Sequence, residues 1–182
     1  MIFHKNNFVW LDLEMTGLNP KEDRILEIAT IVTSNDLDCI ADGPVLAIHQ
    51  TTELLERMDH WNVSHHTDSG LLDRVRNSSC TESLAEKKTL DFLKKYVPAG
   101  ISPLCGNSVC QDRRFLCLYM PNLNQFFHYR HLDVTTLKIL AQYWTPQIMT
   151  DAVKKSSQHT ALKDIQNSIK ELRYYRKHLL KM

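Results

Sequence analysis

The segment FVWLDLE, residues 8–14, places two carboxylates inside what the sequence predicts to be a buried β-strand. Because side chains alternate along a strand, Asp12 and Glu14 point from the same face. Ionised carboxylates are rarely buried unless they are paired or bound to a cation. Any fold of this chain must therefore bring positive charge to that face, or hold two repelling acids together there.

The length of 182 residues favours one domain, residues 1–182, with a sizeable core. No apolar run approaches the ~18 residues of a membrane span, and the start MIFHKNNFVW lacks the apolar stretch of a signal peptide. We therefore expect a cytoplasmic protein without membrane contact. Five cysteines without a C-x-x-C pair predict reduced thiols rather than disulfides or a zinc site.

The charge balance limits the kind of nucleic acid that the chain could bind. The 22 basic and 21 acidic residues give a formal charge of only +1. Proteins that follow long nucleic acids usually carry a clear basic excess, because each neutralised phosphate adds affinity. A phosphate-bearing substrate is thus expected to be short and held at a few points.

The order of predicted elements indicates an α/β fold with a mixed central sheet and flanking helices. Three strands in an antiparallel meander come first, followed by alternating helices and strands. The strands are predicted at residues 8–14, 24–34, 44–49, 103–107 and 130–134. The helices are predicted from residue 51, at 81–96, from 111, at 135–143 and at 160–178, with a loop carrying Trp61 and His66 after the first.

Two further acids lie where local burial disfavours them. Asp112 shares an apolar helical stripe with Phe115 and Leu116, although it could also serve the helix dipole from the first turn. Asp164 is placed in the first turns of the last helix. His159 precedes it by five residues, so both can face one point only if His159 lies before the helix proper; a surface histidine is the alternative.

A pair of divalent cations would explain all these acids at once. Mg²⁺ and Mn²⁺ prefer oxygen ligands, and two such ions ~3.5–4 Å apart can clamp the attacking and leaving oxygens of a phosphoryl transfer. Such a site needs carboxylates converging from strand and helix ends. Histidine has a pKa near 6.5, which suits a base that deprotonates the attacking water.

The ordered motifs also resemble a known superfamily. The D-x-E of DLEMTGL, the aspartate of GNSVCQDRRFL and the H-x-A-x-x-D of HTALKD match, in order and spacing, the motifs of the DEDDh exonucleases. The flanks RILEIATIVT, HWNVSHHTDSGL, HYRHLDVTTLK and ELRYYRKH extend the likeness over practically the whole chain, to members that degrade very short RNA. D-x-E alone is weak, but the ordered set is specific.

This resemblance implies a ribonuclease-H-like fold, with a five-stranded mixed sheet flanked by helices on both faces. It implies 3′→5′ hydrolysis of very short RNA, especially dinucleotides, to nucleoside 5′-monophosphates by a homodimer. The implied metal ligands for two Mg²⁺ or Mn²⁺ ions are Asp12, Glu14, Asp112 and Asp164, and the implied general base is His159. Lys163, where relatives often carry an acid, and the SSQ before His159 depart from the pattern without touching these positions.

Several residues are candidates for holding a short single-stranded RNA. Trp61 offers a stacking platform, unless it is a core residue that anchors its loop. Leu18 would lie at the rim and wedge between two bases, or else simply close a turn over the core. His66 is placed near the terminal nucleotide, with a solvated surface role as the alternative.

The segment FFHYRHLD supplies a second group of candidates, unless it is an ordinary loop leading into a strand. The resemblance implies that its equivalent comes partly from the second subunit and closes over the substrate's 5′ end. Arg130 would then bind a terminal phosphate and Tyr129 would stack on a base across the interface. Ser108 and Gln111, beside the helix that carries Asp112, would donate hydrogen bonds to the same phosphate.

Two rival interpretations remain at this point. Another DEDDh nuclease, such as a proofreading or tRNA-trimming enzyme, shares the metal motifs but not the HYR segment. A catalytically silent RNA-binding or dimerisation module is the other, although such a relative would usually have lost one of the motif acids. All four acids and the histidine are present here.

Overall fold

The computed structural model describes residues 2–149 and 160–180. In this part of the chain, a mixed β-sheet lies between two layers of helices. Its strands are β1 (Phe8–Met15), β2 (Ile25–Thr33), β3 (Cys39–Asp42), β4 (Leu46–Ala47), β5 (Leu104–Gly106) and β6 (His131–Asp133). The helices are α1 (Thr52–Leu55), α2 (His60–Asp68), α3 (Leu71–Arg76), α4 (Glu82–Leu93), α5 (Cys110–Tyr119), α6 (Pro121–Phe126), α7 (Val134–Trp144) and α8 (Ala161–His178), with a 3₁₀ turn at Pro146–Met149.

The sheet has the strand order β3-β2-β1-β5-β6, and β4 also pairs with β2. β1 runs antiparallel to β2 and parallel to β5, while β5 runs parallel to β6. The predicted α/β fold with a mixed sheet is therefore confirmed. Over residues 2–149 and 160–180 the sheet has six strands rather than five. β3 was missed because it is a short edge strand whose side chains are exposed or half-buried, and the strand predicted at 44–49 shortens to β4.

Alternation along β1 sends its side chains into two separate cores. Val9, Leu11 and Leu13 pack with residues of α4, α5 and α6 on one face of the sheet. Trp10 packs with residues of α7 and α8 on the other face. Asp12 and Glu14 continue the Trp10 face toward the carboxyl end of the strand. The two acids thus lie on the side of the sheet that α8 covers.

The region after β4 differs from its prediction. The loop predicted around Trp61 and His66 is helix α2, and the side chain of Asp59 caps it by accepting the backbone N–H of Asn62 at 2.8 Å. This helix is short and mostly polar, so its apolar periodicity is too weak to indicate a helix from sequence.

Among the described residues, no helix combines the length and hydropathy that a membrane crossing requires.

Candidate active site

Three acids converge at the carboxyl end of β1. Asp12 and Glu14 come from β1 and Asp164 from the first turn of α8, and each offers an oxygen within 4.8 Å of the others. We call these three residues the carboxylate cluster. The strand period places the first two side by side, and the packing of α8 against β1 and β2 adds the third.

Asp112 lies directly beside the carboxylate cluster. It is buried in the first turn of α5, and its Oδ1 accepts the backbone N–H of Leu13 at 2.9 Å. Leu13 is the residue between Asp12 and Glu14, so this hydrogen bond fixes Asp112 against their strand. The structure thus gathers three of the four predicted ligands and holds the fourth next to them.

The electrostatics of this region favour bound cations. Burial, followed by the negative charges of Asp112 and Glu14, raises the pKa of Asp12 well above its usual value. Burial, with repulsion from Asp164 foremost among its neighbours, raises the pKa of Glu14 to about 8. Burial also raises the pKa of Asp112 to about 7. Without positive charge in the site, burial therefore favours the protonated forms of these three acids, and bound cations would favour the ionised forms.

The donor set fits hard divalent cations. Carboxylate oxygens from separate elements are the ligands that Mg²⁺ and Mn²⁺ prefer, and histidine or cysteine ligands for softer metals do not accompany this cluster among the described residues. The predicted general base, His159, and the SSQ before it lie outside the described residues. Lys163 is exposed.

A cavity of about 580 Å³ opens beside Glu14, between the end of β1 and helix α2. Leu18 and Trp61 stand at its edge with 67 % and 69 % of their surface exposed, and we call these two residues the cavity rim. Neither is a core residue, so the buried alternatives for both are wrong. The cavity is lined by Leu13, Glu14, Met15, Gly17, Leu18, Asp59, Trp61, Asn62 and His66.

Trp61 is held in place although it is exposed. Its ring stacks on His65 at 4.7 Å between centroids, with an interplanar angle of 11°. Both residues lie on α2, four positions apart and therefore on one face of the helix. The indole is thereby oriented before any ligand arrives.

His66 is buried, which excludes the solvated surface role. Its side chain is only 2 % exposed, and its Nε2 is 2.9 Å from the carbonyl oxygen of Met15. Its Nδ1 lies 4.0 Å from Oε2 of Glu14. Burial lowers the pKa of His66. The sequence could not indicate this burial, because it arises from packing α2 against the end of β1.

The other predicted substrate residues lie outside the cavity lining. The Ser108 backbone N–H donates to Oδ1 of Asp133, and Gln111 accepts a hydrogen bond from Arg114. Tyr129 and Arg130 are exposed neighbours, with the guanidinium 5.2 Å from the ring centroid. Within one chain, the structure therefore brings Leu18, Trp61 and His66 together at the cavity but does not add these four residues to its walls.

Sequence reasoning missed one acid near the carboxylate cluster. Glu27 is 0 % exposed in β2, directly opposite Glu14 in the antiparallel register. It forms an ion pair with Arg74 of α3 and accepts the backbone N–H of Ala161 at 3.2 Å. The signal was available, since an acid inside ILEIATIVT is as anomalous as one inside FVWLDLE.

Comparison with known sequences defines the class of protein to which this chain belongs. The profile of the Exonuclease family matches residues 9–172, and the chain belongs to this family. It is therefore an enzyme, a hydrolase of phosphodiester bonds, as predicted. The carboxylate cluster of an exonuclease indicates the use of divalent metal.

Full-length relatives narrow the assignment to the oligoribonucleases. The chain is 68 % identical over 182 residues to a protein named Oligoribonuclease from Coxiella burnetii, covering 100 % of this chain and 99 % of that one. It is 57 % identical to Oligoribonuclease from Haemophilus influenzae strain PittGG, with 100 % of both chains covered. The predicted resemblance is thus confirmed.

Solved structures support the fold. Escherichia coli exonuclease I in a zinc-bound complex with single-stranded DNA superposes with a TM-score of 0.77 at 14 % identity, covering 98 % of this chain. The same enzyme with a dA16 oligonucleotide gives a TM-score of 0.76 at 15 % identity, covering 97 % of this chain. This chain spans 42 % of the length of each of those proteins.

Proposed function

We propose that the protein is a 3′→5′ exoribonuclease that hydrolyses very short RNA, dinucleotides above all, to nucleoside 5′-monophosphates. The single observation that carries the proposal is the carboxylate cluster, whose Glu14 lines a cavity with an oriented, exposed tryptophan at its rim. The cluster supplies the chemistry and the rim supplies a surface for unstacked bases. The names of the full-length relatives support the choice of RNA as substrate.

Asp12, Glu14 and Asp164 would hold two divalent cations, Mg²⁺ or Mn²⁺, with Asp112 as the fourth ligand. Such ions, when bound, lower the pKa of a water and offset charge on the leaving oxygen of the phosphodiester. The hydrogen bond from the backbone N–H of Leu13 holds Asp112 beside these three acids. We assign His159 as the general base that takes the proton from the attacking water, on the strength of the sequence motif.

The cavity rim would hold the bases. Trp61 presents a ring face that His65 already orients, so stacking costs little side-chain entropy. Leu18 stands at the same edge and would insert between two adjacent bases. His66, beside Glu14, would lie near the 3′-terminal nucleotide.

We further propose that two copies of the chain form a homodimer in which Tyr129 and Arg130 of one copy cap the substrate's 5′ end in the other. Their exposure and their absence from the cavity walls of their own chain support this arrangement. The exposed apolar side chains of α7, Ile139, Tyr143 and Trp144, would suit a contact between copies. Ser108 and Gln111 would complete the phosphate cap, and the cytoplasmic location stays a prediction.

The direct test of the activity is a time course of mononucleotide release from a 5′-phosphorylated RNA dinucleotide. We expect release with Mn²⁺ or Mg²⁺, none with EDTA, and much slower turnover of a twenty-residue RNA. Unchanged release in EDTA would overturn the metal mechanism. Equal turnover of both lengths would overturn the short-substrate preference, and no release under any condition would favour a silent binding module.

The shared cap is tested by mixing two inactive or weakened variants. Asp12→Ala lacks a metal ligand but retains Arg130, whereas Arg130→Ala retains the carboxylate cluster. If the cap acts between copies, mixed dimers contain one complete site, and the mixture should exceed the summed activity of the separate variants. A strictly additive mixture, despite subunit exchange confirmed by native mass spectrometry, would contradict the shared cap.

A further inference from the structure

Glu27 is a buried acid that the proposed chemistry does not use. It lies opposite Glu14 across β1 and β2, so both carboxylates project from the same face of the sheet. Like charges placed directly opposite in a sheet are destabilising. The fold retains this acid at zero exposure, which requires a compensating interaction.

Both oxygens of Glu27 are engaged by other groups. Oε1 forms the ion pair with Nη1 of Arg74, and Oε2 accepts the backbone N–H of Ala161 at 3.2 Å. Glu27 is accordingly not among the three acids whose oxygens converge. The contacts with Arg74 and Ala161 occupy both oxygens of Glu27, so it is not a metal ligand in our proposal. They instead connect Glu27 to the start of α8.

The start of α8 needs such a partner. The first N–H groups of a helix have no acceptor within the helix, and Thr160 at the N-cap provides no side-chain hydrogen bond. Glu27 supplies a carboxylate from another element to the first residue, Ala161, where negative charge also favours the helix dipole. Asp164 follows three residues later, in the same turn, with its N–H donating to the Thr160 carbonyl.

We infer that Glu27 and Arg74 are positioning residues, which anchor the first turn of α8 to β2 so that Asp164 meets Asp12 and Glu14 at the metal site. Arg74 fixes the Glu27 carboxylate, the carboxylate fixes Ala161, and the helical turn carries Asp164 into place. This inference rests on the proposed metal-dependent function. Groups that orient metal ligands typically contribute 10–100-fold to metal affinity or activity.

The decisive variant is Arg74→Gln, because a positioning role and a purely electrostatic role of Arg74 predict opposite changes in Mn²⁺ affinity. Arg74 lies beside an acidic site, so removing its positive charge should by itself tighten Mn²⁺ binding. Loss of the anchor should instead weaken Mn²⁺ binding about tenfold and lower kcat, while KM for the dinucleotide changes little. Arg74→Lys, which keeps the charge that pairs with Glu27, should recover most of the affinity.

Arg76→Gln is the matched control. Arg76 is on the same helix and forms an ion pair with Asp73, with both side chains more than half exposed. The charge change is identical, but no contact with Glu27 is lost. We expect Arg76→Gln to leave Mn²⁺ affinity unchanged.

Two measurements separate the anchor from the metal chemistry. Mn²⁺ binding is measured by electron paramagnetic resonance, and hydrogen exchange of the Ala161 amide is followed in metal-free protein, where Arg74→Gln should accelerate it. Normal Mn²⁺ binding by the wild type, with Arg74→Gln showing equal or tighter affinity, would overturn this inference alone. A wild type that binds no Mn²⁺ would overturn the proposed function and this inference with it.

Glu86→Gln provides a second control for burial itself. Glu86 is also buried and accepts the backbone N–H of Leu123 at 2.9 Å, near the start of α6 on the other face of the sheet. Both Glu86→Gln and Glu27→Gln should alter stability, but only Glu27→Gln should weaken Mn²⁺ binding. A comparable loss of Mn²⁺ affinity in both would reduce Glu27 to a structural role and overturn the inference.

Discussion

The carboxylate cluster and the cavity rim lie side by side, but opposite physical rules govern them. The cluster places acidic groups where water is scarce, and burial together with neighbouring acids raises the pKa of Asp12 and of Glu14. The rim places apolar surface where water is abundant, with Leu18 and Trp61 mostly exposed. An exposed apolar side chain stays in contact with water after folding, so its removal costs little stability. Buried charges that repel one another, by contrast, destabilise the folded state.

The comparison separates activity from stability. Substitutions in the cluster should destroy turnover while making the metal-free protein more stable. Substitutions at the rim should weaken substrate binding while leaving stability unchanged.

Asp12→Asn should produce the largest effect. It removes a proposed metal ligand at constant shape, and loss of a metal's several kcal/mol of transition-state stabilisation corresponds to a fall in kcat on the order of 10³-fold or more. The melting temperature of the metal-free variant should rise, because folding the wild type must either bury the charge of Asp12 or take up a proton there, and Asn avoids that cost. Dinucleotide turnover and calorimetry with EDTA check the two parts.

The control for this variant is Asp73→Asn, an exposed acid on α3 that pairs with Arg76. It should leave turnover and melting temperature close to wild type. Near-normal activity of Asp12→Asn would show that the ligand assignment is wrong.

The stability of the metal-free protein should fall as the pH rises from about 5 to about 8. The pKa of Glu14 is raised to about 8 and that of Asp112 to about 7 by burial, above their values in the unfolded chain. The folded state therefore binds more protons than the unfolded state across this window, so a rising pH favours unfolding. Urea unfolding at pH 5, 6.5 and 8 with EDTA measures the slope.

Saturating Mn²⁺ provides the internal comparison for that slope. Bound cations favour the ionised carboxylates, so the decline with pH should disappear or reverse when the metal is present. An identical slope with and without Mn²⁺ would contradict binding at these acids.

Trp61→Ala should act on substrate binding alone. Stacking of one base contributes about 1–3 kcal/mol, so KM for a dinucleotide should rise by about tenfold or more. Since the indole is largely exposed, the melting temperature should stay within about 2 °C. Val63→Ala, an exposed position on the same helix outside the cavity lining, is the control for changes to α2.

Leu18→Ala should give the smallest effect. The loss of part of an apolar contact corresponds to about 1 kcal/mol, or roughly a fivefold rise in KM. Leu84→Ala, an exposed leucine on α4, should have none. A mononucleotide product offers no second base for Leu18 to separate. If Leu18→Ala raised the inhibition constant of the mononucleotide as much as the KM of the dinucleotide, a wedge between two bases would be contradicted.

Much of the fold and the candidate site could be predicted from local pattern. The strand period placed Asp12 and Glu14 on one face, and the helical stripe turned Asp112 inward, as the structure confirms. The short edge strand β3 and the polar helix α2 escaped prediction because neither has strong periodicity. The role of His159 stays a prediction that rests on its motif.

The sequence by itself determined which acids are out of place, because periods of two and 3.6 residues decide which side chains face a core. Only the tertiary structure decided what surrounds them. The burial of His66 against Met15, and the engagement of Glu27 by Arg74 and Ala161, join segments that are 47 to 134 positions apart. Local periodicity carries no information about such contacts, since they depend on how separate elements pack after each has formed.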